Sequence, residues 1–141
     1  MISTLVQPLV GYPLKLPLFD FVIKAGFPSP AESYSEKSLD LNDLAILHPE
    51  ATYFLRASGD SMTGAGIFPG DYLVIDRSIT PQTQDIVVAE IGGEFTLKRL
   101  GYEAGKPVLI PENPNYPTIR PKSGEELVIF GVVRGVYRNL K

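Results

Sequence analysis

The sequence has no cysteine and only one histidine in 141 residues. Without cysteine there is no disulfide, no thiolate zinc site and no thiol nucleophile. The histidine, His48, stands before Pro49 at the end of a helix candidate. It reads as a surface or capping side chain, which argues against a Ser-His-Asp triad. No apolar run approaches the ~18–20 residues of a membrane-spanning helix. The N-terminal stretch lacks a basic segment and is broken by Pro8, Pro13 and Pro17, so it makes a poor signal peptide. An excess of positive charge is missing too: 13 basic against 16 acidic residues give a net charge of −3 and a pI near 5.1. That balance argues against a general affinity for nucleic-acid phosphates and leaves room only for a local basic patch. There are no repeats and no low-complexity tract. A cytoplasmic address fits, and neither a metal nor a cofactor is indicated.

What is present suits one soluble domain with a sizeable core: 44% of residues are hydrophobic and 21% charged. Thirteen prolines and thirteen glycines punctuate the chain. Residues 1–38 read as a flexible N-terminal arm holding short extended pieces, rich in proline and containing the polar, turn-prone FPSPAESYSEKS. Residues 39–141 read as a β-rich domain. LDLNDLAILHP, residues 39–49, is the one helix candidate. Its leucines at 41, 44 and 47 share a face, Asp40 can cap it, and His48-Pro49 ends it. Beyond it TYFLRA, DYLVID, DIVVAEI, EFTLKRL, KPVLIP and ELVIFGVVRGVYR read as strands, with Gly92-Gly93 marking a hairpin. Several of these strands are apolar on both faces. That implies a folded-over sheet or partly closed barrel rather than one open layer.

The run YFLRASGDSMTGAG sets Ser61 in a glycine-flanked turn directly after a hydrophobic strand. A serine hydroxyl is a weak nucleophile and needs a neighbouring base. With histidine set aside, the remaining solution is a lysine held neutral. Alternation along EFTLKRL puts Phe95, Leu97 and Arg99 on one face and Thr96, Lys98 and Leu100 on the other, so Lys98 sits among small and apolar neighbours. Desolvation disfavours its charged form. The effect is needed: at an ordinary pKa of about 10.4, only ~0.1% of a lysine is neutral near pH 7.4. On the residues alone two readings stand. One is a nucleophile and its base; the other, commoner in general, is a turn serine and a lysine snorkelling to solvent.

The strings SGDSM, GIFPGDYLVID, GEFTLKRL and FGVV, in this order and spacing, resemble the LexA/UmuD family of self-cleaving Ser-Lys peptidases, whose fold is related to bacterial signal peptidase. The likeness runs over roughly residues 18–136. FPSPAESY and LDLNDLAILHPEATYFLRASGDSM bring it nearest to the UmuD branch. The combined pattern is specific, whereas SGDSM alone would be weak.

The resemblance implies that Ser61 is the nucleophile and Lys98 its general base, with backbone N–H groups of the Ser61 turn as oxyanion donors. It implies self-cleavage between Ala25 and Gly26, inside FVIKAGFPSP. UmuD itself carries Cys-Gly at that point, and Ala-Gly is the form of the repressor branch. In an extended VIKAGF segment Ile23 and Ala25 would face the enzyme and Lys24 would point out. The family likeness further implies a homodimer and stimulation by the RecA filament on single-stranded DNA. It also implies a processed form that serves an error-prone, UmuC-like polymerase as accessory subunit. Only 25 residues precede the expected cut, too few for a helix-turn-helix domain, so sequence-specific DNA binding is not expected. Two other readings are a non-catalytic, β-rich dimeric binding module and a processing peptidase acting on other proteins.

Overall fold

The computed structural model describes residues 11–19, 23, 25–26 and 36–141. These fall into two compact units, one ending at Leu47 and one beginning at His48. In the first, β1 (Leu16–Phe19) pairs antiparallel with β2 (Glu36–Leu39), Leu16 opposite Leu39. Asp40 then caps the helix α1 (Leu41–Ala45). Its Oδ1 accepts from the Asn42 N–H at 2.9 Å and its Oδ2 from the Leu14 N–H at 2.9 Å. One carboxylate thus satisfies an orphan helix donor and ties the helix start to the chain entering β1. The helix is shorter than its leucine spacing implies. Ile46 is already extended, so Leu47 lies beyond the end.

The second unit is built on a six-stranded antiparallel sheet in the order β3-β4-β8-β5-β6-β7. Its strands are β3 (Thr52–Arg56), β4 (Tyr72–Asp76), β5 (Ile86–Ile91), β6 (Glu94–Glu103), β7 (Lys106–Ile110) and β8 (Leu127–Tyr137). Each matches a run read as a strand from its β-branched and aromatic residues. Both faces of β5 are buried. Val87 and Ala89 join Leu100, Leu109 and Val132 in one cluster, while Val88 joins Met62, Leu73, Ile75 and Phe130 in another. A strand with core on both sides is what its unbroken apolar run demanded. The mainly β fold with apolar contacts on both sheet faces is therefore present, and among the described residues the edges β3 and β7 do not pair, so no barrel closes fully.

β8 bends between its neighbours through two irregularities. Register shifts occur between Val74 and Ile75 against β4, and between Val88 and Ala89 against β5. On β8 the extra residues are Arg134 and Phe130, each skipped by the pairing. Such bulges sharpen local twist and re-aim side chains. Phe130 fills the Val88 cluster edge-on to Phe95, ring centroids 6.1 Å apart. The Gly92-Gly93 hairpin forms as expected, both residues at positive φ (59° and 79°), which suits a two-residue turn between twisted strands. A second turn of this type, Ala104-Gly105, joins β6 to β7.

Candidate active site

Ser61 lies in the connection between β3 and a 3₁₀ turn at Thr63–Ala65. The next residue, Met62, is 2% exposed and anchors the turn in the apolar cluster. Its carbonyl accepts from the N–H groups of Ala65 (3.0 Å) and Ile67 (3.3 Å). Nature has little freedom here: a buried Met side chain pulls in one direction, and Ser61, one residue earlier, is left facing a cleft. That cleft, of about 270 Å³, is lined by Leu55, Met62, Ile67, Leu73, Phe95 and Leu97 together with Ser61 and Lys98.

Lys98 enters from β6 and is 7% exposed. Its Nζ lies 3.0 Å from Ser61 Oγ, 2.8 Å from Thr96 Oγ1 and 3.1 Å from the Leu97 carbonyl oxygen. Thr96 and Lys98 thus share a face, as strand alternation requires. None of these partners is a carboxylate, so nothing in contact compensates a positive charge. Burial pushes the Lys98 pKa below the ordinary lysine value. The three oxygens give each N–H of the ammonium an acceptor; once the amine is neutral, two N–H groups can stay on Thr96 and Leu97 while the lone pair accepts the Ser61 hydroxyl proton.

The turn is supported from behind by the loop of residues 110–118, IPENPNYPT. The Glu112 N–H donates to the Ser61 carbonyl at 2.8 Å, and the Gly64 N–H donates to the Glu112 carbonyl at 2.7 Å. A Cβ on Gly64 would stand 2.5 Å from that carbonyl oxygen, so only glycine permits this approach. Asn113 Nδ2 donates to the Asp60 carbonyl at 2.8 Å, and the Tyr116 hydroxyl donates to the Asp60 carboxylate. Sequence reading did not find these partners; the only signal was the proline-asparagine punctuation of the loop.

His48 is occupied elsewhere. Its Nδ1 sits 2.6 Å from Oδ2 of Asp76, a carboxylate with no exposed surface whose other oxygen accepts from the Ser78 N–H and hydroxyl. Burial raises the Asp76 pKa, but the hydrogen bonds from Ser78 and His48 outweigh it and leave the group below its ordinary value. In the other unit Ala25 and Gly26 form an exposed turn rather than an extended segment, and Ile23 is 77% exposed. Lys24 lies outside the described residues. Among the described residues no group of three or more His, Cys, Asp or Glu could hold a metal ion, and no helix is long and apolar enough to cross a membrane.

The model of the Peptidase S24-like family matches residues 17–134. The chain belongs to this family. Among its relatives, protein SamA of Salmonella typhimurium is 52% identical over 117 residues, 83% of this chain and 81% of that protein. Protein ImpA of Escherichia coli is 52% identical over 122 residues (85% and 81%), and protein MucA of Escherichia coli 47% over 120 residues (84% and 81%). The S24-like match spans the turn that carries Ser61 and the strand that carries Lys98, as well as the turn at Ala25-Gly26. The resemblance drawn from SGDSM and GEFTLKRL therefore holds at the level of the family.

Proposed function

We propose that the protein is a UmuD-type serine endopeptidase that cuts its own chain between Ala25 and Gly26. One observation carries this reading: a buried amine, with its pKa pushed down, 3.0 Å from a serine hydroxyl at the wall of a cleft. Lys98 takes the Ser61 proton as Oγ bonds to the Ala25 carbonyl carbon, and backbone N–H groups of the Ser61 turn hold the developing oxyanion. The C–N bond to Gly26 then breaks, with the Lys98 ammonium giving its proton to the leaving amine. Water, activated by the same amine, releases the Ala25 carboxylate.

The open edge of β6 helps to explain how a peptide would be held. β7 pairs with β6 only from Arg99 onward, so Glu94–Lys98 have β5 on one side and no strand of the sheet on the other. Residues 55–59 and 95–98 both line the cleft. An extended segment carrying Ala25 can add there as a strand, Ile23 and Ala25 inward and Lys24 outward. The turn at Ala25-Gly26 must open for this, and tethering keeps the effective concentration of the segment high once it does.

The arm of residues 1–38 is read as carrying the scissile bond and residues 39–141 as the peptidase domain. The physiological trigger in this reading is the RecA filament on single-stranded DNA, which favours the docked arm. The processed form, residues 26–141, acts in the cytoplasm as a homodimer and as accessory subunit of an error-prone, UmuC-like DNA polymerase after DNA damage. The test is incubation with RecA, single-stranded DNA and an ATP analogue, followed by intact-mass measurement. Two fragments splitting after Ala25 are expected, with Ser61→Ala remaining whole and folded. A chain left whole, or one cut at another bond, contradicts the reading.

A further inference from the structure

The loop of residues 110–118 is built as a rigid platform. Its neck is closed by an isolated antiparallel bridge between Leu109 and Ile119, with N–H···O distances of 3.0 and 2.8 Å. Pro111, Pro114 and Pro117 fix φ at three of its positions. Within it Asn113 Oδ1 accepts from the Asn115 N–H at 2.9 Å, and the Tyr116 N–H donates to the Asn113 carbonyl at 3.1 Å. Arg99 binds it from below, Nε to Glu112 Oε1 at 2.5 Å. Two side chains of this platform reach Asp60, the residue before Ser61: Asn113 to its carbonyl and Tyr116 to its carboxylate.

We propose that Asn113 and Tyr116 are positioning residues for Ser61, fixing the turn that carries it and pinning the Asp60 carboxylate to the loop, outside the cleft. The first role follows from the contacts: backbone bonds from Glu112 and Gly64 and the Asn113 amide hold residues 60–64 at three points. The second follows from chemistry. A carboxylate one residue from Ser61, free to rotate towards Lys98, would stabilise the ammonium form and remove the base. Tyr116 donates to that carboxylate instead, and the hydrogen bond to Asp60 in turn raises the Tyr116 pKa, keeping its proton in place. Arg56 is the other charged side chain among the residues lining the cleft, and Arg99 and Glu112 pair with each other behind the turn.

This inference rests on the self-cleavage proposed above. The test follows partner-free self-cleavage of the full chain across about pH 7 to 10, below the ordinary lysine value of about 10.4. It compares wild type, Asn113→Ala, Tyr116→Phe and the double variant Tyr116→Phe/Asp60→Asn. Asn113→Ala is expected to lower the limiting rate about fivefold or more without moving the pH midpoint. Tyr116→Phe is expected to lower the rate and also raise the midpoint by about half a unit. In the double variant the midpoint returns while the rate stays low. A merely structural role would lower the melting temperature and the rate but leave every midpoint in place, and that result overturns the proposal. A ¹³C NMR titration of the Lys98 ε-carbon, run in a Ser61→Ala background with and without Tyr116→Phe, reads the same midpoints without cleavage. Unmoved NMR midpoints overturn the positioning role. NMR midpoints that move, while the chain with Ser61 intact never cleaves at any pH tested, overturn the self-cleavage reading instead.

Discussion

Arg138 grips Asp71 with two N–H groups along one edge of its guanidinium: Nε donates to Oδ1 at 2.5 Å and Nη2 to Oδ2 at 2.7 Å. Asp71 has no exposed surface, and its Oδ2 also accepts from the Phe68 N–H at 2.8 Å. Arg138 lies over the Phe68 ring and donates to the Gly66 carbonyl, so it ties the C-terminal segment to the loop that follows the Ser61 turn. The hydrogen bond from Arg138, against the opposing effect of burial, lowers the Asp71 pKa to about 2.

A folded-state pKa below the unfolded value means that the stabilisation is complete above the ordinary carboxylate pKa of about 3.9. It is lost as pH falls through about 2. Arg138→Ala should therefore lower the melting temperature at neutral pH, where it leaves a buried carboxylate unpaired. The difference from wild type should shrink as the pH drops from about 5 towards 2. Thermal melts by circular dichroism across that range measure it, and a pH-independent difference would show that the loss comes from the Phe68 and Gly66 contacts and not from the ion pair.

Ala104 sits at φ 51° in the turn joining β6 to β7, a left-handed conformation that a Cβ resists. Ala104→Gly should stabilise the protein by about 0.5–1 kcal/mol, the relieved strain partly offset by added freedom of the unfolded chain. Urea unfolding measures it. A loss of stability would mean that the turn does not hold Ala104 at positive φ.

Gly64→Ala places a Cβ against the Glu112 carbonyl, a backbone group that cannot step aside cheaply. The 110–118 loop and the Ser61 turn must separate. Self-cleavage should fall about tenfold or more, a loss out of proportion to any fall in melting temperature. Equal cleavage rates in the two proteins would show that the contact does not set the position of Ser61.

Much of this was legible in the sequence because it depends on local pattern. The strands follow from runs such as LVID and IVVAE, and the first hairpin from Gly92-Gly93. The second hairpin was missed because alanine occupies a position where turn chemistry calls for glycine or asparagine. The helix was read too long because Leu47 continues the spacing although Ile46 has already left the helical region. Strand order and the Phe130 and Arg134 irregularities were hidden for another reason. LVIFGVVRGVY reads as one strand, and its register is set by β4 and β5, which lie far away in sequence. At the site, desolvation of Lys98 could be anticipated from its strand neighbours. The Ser61, Asp60 and Tyr116 contacts could not, since they join residues tens of positions apart through tertiary packing.

Lys98→Met keeps the length and burial of the side chain while removing the amine. Burying an amine without a counter-charge is costly, so this variant should melt at or above the wild-type temperature and show no self-cleavage. A well-folded Lys98→Met chain that still cuts itself would take Lys98 out of the reaction.

The most direct measurement is the rate of partner-free self-cleavage, followed by intact mass, as a function of pH. Burial lowers the Lys98 pKa, so the neutral, proton-accepting fraction grows with pH and saturates below the ordinary lysine value of about 10.4. The expected result is a rate that climbs from neutral pH to such a plateau, with cleavage after Ala25 and none in Ser61→Ala. A rate that stays flat from about pH 7 to 10 in a chain that does cleave would contradict a neutral Lys98 as the base for Ser61.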